Sequence, residues 1–115
     1  MKPPIETLHL FPLLNKELIS FLKQLPPEDW QKQTIAKKWV VKDVAAHLLD
    51  GNYRRIALHR DGWYVPPDIP IRSYNDLVNY LNTLNAEWVK AAKRLSPGII
   101  IELLELTNEV VYREF

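Results

Sequence analysis

The chain has 115 residues, which sets an expectation of a single domain over 1–115. Apolar residues make up 47%, enough for a core, and 15 Lys and Arg against 14 Asp and Glu leave a net charge of +1. That near-balance gives no electrostatic reason to expect nucleic acid or an anionic membrane as partner. The absence of cysteine excludes disulfides, thiolate metal ligands and a cysteine nucleophile, so any thiol chemistry would need a thiol from outside.

Met1-Lys2-Pro3-Pro4 lacks the continuous apolar stretch of a signal peptide. No run approaches the length of a membrane span, and the expected compartment is the cytoplasm. Apolar positions then recur at Leu8, Phe11, Leu14, Leu18, Phe21, Leu22 and Leu25. Steps of three and four mark an amphipathic helix, predicted over about 5–25. Pro12 either begins its regular part or bends it, since proline is tolerated only in a first turn. Pro26-Pro27 ends it. His9, near its start, has no second ligand at metal spacing and reads as a surface or packing residue.

The connector to Val40 holds Trp30 and Trp39, two aromatic anchors expected to pin it onto the bundle. A helix over 41–60 follows, closed by Gly62. At about 100° per residue, Val41, Val44, Ala45, Leu48, Leu49 and Ile56 share an apolar face. Asp43, His47, Asp50 and Arg54 make a second stripe beside it. That stripe reads in two ways: a chain of helix-surface ion pairs and hydrogen bonds, or one side of a metal site with His47 as ligand. Val40 stands at the cap position without a side-chain acceptor, although Asp43 three residues on can still favour the helix start. His59 comes twelve residues after His47, roughly 120° around the helix and about three turns along, so the two cannot share an ion from one helix.

Three prolines, Pro66, Pro67 and Pro70, forbid a helix in the following segment. An ordered crossover anchored by Trp63 and Tyr64 is expected, with a strand as second choice. Ser73-Tyr74-Asn75-Asp76 offers a capping-box-like start to a helix over 73–95. In it Leu77, Leu81, Leu84, Trp88, Ala91 and Leu95 recur in a 4-3-4-3-4 pattern, which implies near-parallel packing inside a bundle. Ser96 caps and Pro97 opens the last helix, 97–114. Ile99-Ile100-Ile101 would suit a strand, but Ile100, Leu103, Leu104, Thr107 and Val111 keep helical spacing. The expected fold class is therefore all-α, an up-down bundle of four helices.

Trp39-x-Val41-x-Asp43-Val44-Ala45-x-His47-Leu48, followed by Arg54-Arg55 and Arg60-Asp61-Gly62, resembles the metal-binding helix of the DinB superfamily. The closest branch is the mycothiol-dependent maleylpyruvate isomerase N-terminal type. The likeness extends through Leu10-Phe11-Pro12, Leu25-Pro26-Pro27-Glu28-Asp29-Trp30, Leu84-Asn85-Ala86-Glu87-Trp88 and Leu95-Ser96-Pro97, so it covers nearly the whole chain. It implies a C-terminally shortened DinB-like bundle, with His47 as one ligand of a divalent metal, zinc or nickel. In such a family the metal polarises a low-molecular-weight thiol for transfer or isomerisation. The two further ligands would come from a later helix, from a partner or from a second subunit. Glu105 and Glu109, one turn apart, align better with the preceding helix and receive no ligand role.

Other chemistries find no support. There is no phosphate-binding glycine loop among three glycines, and Ser20, Ser73 and Ser96 lie in no nucleophile elbow. No residue is assigned a catalytic role, and self-sufficient catalysis is not expected. The alternative is a non-catalytic interaction module whose bundle leaves an apolar groove open, with homodimerisation as the simplest closure.

Overall fold

A computed structural model describes the backbone of residues 10–35 and 39–114, with side chains from Leu13 onward. Among the described residues there are four α-helices and no strand, arranged as a helical bundle. We label them α1 (Leu10–Gln24), α2 (Val41–Arg55), α3 (Tyr74–Ala92) and α4 (Pro97–Glu114). A 3₁₀ turn, Pro27–Gln31, follows α1, and a π-helical turn, Ile56–Arg60, extends α2. The expected start of the first helix near residue 5, and His9, lie outside the described residues. No helix among the described residues is long and apolar enough to cross a membrane.

The helix boundaries follow local chemistry. Pro26 stands just before the 3₁₀ turn and Pro27 opens it. Pro12 lies within described α1. Ser73 caps α3, its Oγ accepting the Asp76 N–H at 3.1 Å, while the Asp76 carboxylate accepts the Arg72 N–H at 3.0 Å. Ser96 Oγ accepts the Ile99 N–H at 3.2 Å at the start of α4. Gly62 has φ +63°, a left-handed conformation that glycine adopts without a Cβ clash. It lets Trp63 turn back, its N–H reaching the Ala57 carbonyl at 2.8 Å.

α4 packs against both α2 and α1, whereas α3 packs mainly against α2. The core therefore centres on the α2–α4 seam, where Leu49, Ile100 and Leu104 are 0% exposed. Ile19 and Leu22 of α1, Trp30, Ala45, Ala46 and Ala92 complete it. Burying each large aliphatic chain contributes about 1.5–3 kcal/mol. Ile99-Ile100-Ile101 is helical, because Ile100 and Leu104 lie one turn apart on the face that α4 turns to α2 and α1.

Several expected core positions are not buried. On α1 the buried stripe is Ile19 and Leu22, with Leu18 and Leu25 beside it, and Leu14 and Phe21 are exposed. The α4-facing side selects the residues in line with Ile19, and Phe21 falls off it. On α2, Leu48 is exposed while Ala46 and Asn52 are buried, because α2 is gripped between α3 and α4 rather than on one side. Trp63 and Tyr64, expected as anchors, are 69% and 68% exposed. The 61–70 segment is exposed throughout, and the backbone bond from Trp63, not its ring, ties it down.

The clearest departure is on α3. Its buried residues are Val89 and Ala92, with Val78, Asn85 and Trp88 partly covered. Leu77, Leu81 and Leu84 remain 40, 39 and 38% exposed. The packed line of Val78, Asn85, Val89 and Ala92 lies about 80–90° around the helix from the heptad leucines. α3 meets α2 along one edge of its apolar surface and leaves the leucines of the other edge partly exposed.

Candidate functional site around His47

The start of α2 is held by Asp43. Its carboxylate accepts the Val40 N–H at 3.0 Å, which supplies one half of a capping box. Valine has no side-chain acceptor to return the other half. Asp43 is buried, close to the positive end of the α2 dipole. Lys93 Nζ approaches it at 3.5 Å, and Lys42 Nζ donates to the Lys93 carbonyl at 3.1 Å. These contacts tie the beginning of α2 to the end of α3. The connector is closed by backbone bonds from Thr34 to Trp39 and from Val41 to Lys32.

One turn further on, His47 is half-buried. Its ring lies against Trp39, with centroids 4.9 Å apart and planes tilted by 45°. Its Nδ1 is buried and has no hydrogen-bond partner among the described residues. The stripe recognised in the sequence is thus only partly a network. Asp50 pairs with Arg54 at 3.2 Å, Asp43 is engaged in the cap, and among the described residues His47 bonds to neither aspartate. His59 lies on the exposed π-helical turn at the far end of the same helix.

A zinc-type centre needs three protein ligands and an open position. Among the described residues no group of three His, Cys, Asp or Glu could hold an ion. A metal-bound imidazole ordinarily donates its other N–H to an acceptor. Here an ion on Nε2 would leave an Nδ1–H buried without one, at a cost of about 1–3 kcal/mol. The residues gathered around His47 do not by themselves fit a metal centre.

Sequence reasoning missed a polar knot in the α2–α4 seam. Asn52 Nδ2 donates to Thr107 Oγ1 at 2.9 Å and to Asn108 Oδ1 at 2.7 Å, and Thr107 Oγ1 donates to the Leu103 carbonyl at 2.7 Å. Asn108 Nδ2 is buried without a partner among the described residues. Asn52 lies three residues after Leu49 and seven after Ala45, on the buried stripe, and that spacing was the available signal. A second missed contact joins α3 to α2: Trp88 Nε1 donates to the Ala46 carbonyl at 2.6 Å, and Tyr53 meets the Trp88 ring edge-on at 6.0 Å. Burial pushes the Tyr53 phenol above its ordinary pKa. A groove of about 530 Å³ runs between α1 and α4, lined by Lys16, Ser20, Lys23, Glu105, Asn108 and Tyr112 among others. Lys23 and Glu105 pair at 2.9 Å, both about half exposed, a contact worth at most about 1 kcal/mol in water.

No family model, no curated protein and no solved structure matches this chain.

Proposed function

We propose that this chain is an interaction module, a DinB-like helical bundle that works by associating with itself through an apolar face and not as a catalyst in its own right. The observation that carries the reading is the edge of α3 where Leu77, Leu81 and Leu84 stay 38–40% exposed although their spacing is that of a helix–helix seam. The DinB part rests on the motifs around Trp39, Asp43 and His47, which fall on the start of α2 and its cap. Sedimentation equilibrium at micromolar concentration tests the association. The expected mass is twice the 13.5 kDa of one chain, and a monomer throughout would end the reading.

A second reading keeps the metal. His47 sits at the rim of the bundle between two aspartates, and the DinB resemblance assigns its counterpart a ligand role. In that reading His47 supplies one ligand to a zinc or nickel ion. The remaining ligands come from a second subunit or a partner, and an external thiol is the group the ion would activate. Calorimetric titration of the wild type and of His47→Ala with each metal decides it. Stoichiometric binding that the substitution abolishes supports the metal reading, and an absence of heat from the wild type removes it.

A further inference from the structure

The segment between Gly62 and Ser73 connects α2 to α3 without entering the core. Residues 61–70 are exposed throughout, and the backbone of 64–71 makes no hydrogen bond among the described residues. A backbone left to water in this way suits polyproline II, an extended helix of three residues per turn without internal hydrogen bonds. The sequence Val65-Pro66-Pro67-Asp68-Ile69-Pro70-Ile71-Arg72 favours that conformation almost throughout. Pro66, Pro67 and Pro70 have their φ locked by the ring. Val65, Pro66 and Ile69 each precede a proline and are held extended. Between Val65 and Pro70 only Asp68 is neither a proline nor the residue before one. The chain bends there, at Asp68 and Ile69, so straightening it turns on the link between Pro67 and Asp68.

We infer that this segment is the docking site for a partner protein that reads polyproline II through a groove lined with aromatic rings and rimmed by carboxylates. Three residues per turn sort the straightened segment onto three edges. Pro67 and Pro70 share one edge, and Pro66, Ile69 and Arg72 share the next. Asp68 and Ile71 fall on the third. Ile71 is half-buried while the residues of the other two edges are exposed, so the third edge is the one turned to the bundle. The two ridges left in water are the proline and aliphatic pairs that an aromatic-lined groove takes up, and a segment this restricted has little entropy left to lose on docking. Arg72 adds the charge. It is exposed, and its guanidinium has no ion pair among the described residues. On the edge beside the prolines it asks for a carboxylate at the rim, and the segment's single acid, Asp68, points away from that groove. Addition to a sheet edge is the poorer fit, because three prolines supply no N–H to a ladder.

The test is calorimetric titration of the full chain with a panel of isolated SH3 domains that select Pro-x-x-Pro-x-Arg ligands, for the wild type beside Pro70→Ala, Arg72→Glu and Phe21→Lys. The replaced side chains are all exposed, and circular dichroism confirms that each variant is folded. The expected result is saturable binding of the wild type to at least one domain. Pro70→Ala and Arg72→Glu should each weaken it about tenfold or more, and Phe21→Lys should leave it unchanged. No saturable binding of the wild type to any domain overturns the inference. Binding that survives both Pro70→Ala and Arg72→Glu overturns the docking site, and binding that Pro70→Ala weakens but Arg72→Glu does not overturns the acidic rim. None of these outcomes depends on the mass found by sedimentation, so this inference and the self-association reading fail separately.

Discussion

α3 and α4 are almost the same length and both carry apolar residues at helical spacing, yet they end in different environments. α4 lies between α2 and α1, so Ile100 and Leu104 are sealed from two sides. α3 has α2 as its main helical neighbour among the described residues, and Leu77, Leu81 and Leu84 on its other edge stay 38–40% exposed. The contrast teaches that periodicity identifies a helix built to pack, but does not say whether its partner lies in the same chain. The residues of the seam carry that information only weakly. α4 offers Thr107 and Asn108 to a buried amide, while α3 offers leucines without charges.

The comparison can be broken most sharply inside α4. Leu104→Ala removes a side chain that is fully buried and leaves a cavity, with an expected loss of about 2–5 kcal/mol in urea unfolding. The matching truncation on α3, Leu81→Ala, should cost a monomer below about 1 kcal/mol, because much of that side chain is already wet. Next in size is Asn52→Ala. It strips the polar knot of its donor and leaves buried acceptors unpaired, for an expected loss of about 1–3 kcal/mol by the same measurement. Asp43→Ala removes the surviving half of the α2 cap and the contact to Lys93, with an expected loss near 1 kcal/mol. The smallest effect has the opposite sign. Gly51 lies inside α2, and a Cβ there would meet nothing within 4 Å, so Gly51→Ala should raise stability by about 0.5–1 kcal/mol in the same unfolding experiment.

Much of the architecture was legible because it depends on local backbone chemistry. Pro26-Pro27, Gly62, Ser73 and Ser96-Pro97 each act through φ restriction or an orphan N–H, and each falls at a helix boundary. The heptad line foretold a packing helix correctly, and its Trp88 and Leu95 do pack against the core, but Leu77, Leu81 and Leu84 stay partly exposed, since the face that meets α2 is set by the Trp88–Ala46 contact, which joins residues distant in sequence. Trp63 and Tyr64 were expected to anchor because aromatic rings are usually buried. Residue type does not reveal that the backbone would secure that segment and leave the rings outside. At His47 the sequence showed a histidine at the border of two faces, and the structure adds Trp39 against its ring and an Nδ1 without a partner among the described residues. The polar knot was hidden for a plain reason: Asn52 breaks the apolar pattern, and only the facing Thr107 and Asn108, more than fifty residues on, make its burial tolerable.

The most direct measurement of the contrast between the two helices is amide hydrogen exchange at low and high protein concentration. The account predicts that α4 amides are better protected than those of α3 at low concentration, and that the α3 amides from Leu77 to Leu84 gain at least tenfold protection as concentration rises through the association range. Protection of α3 that matches α4 and does not change with concentration would contradict it.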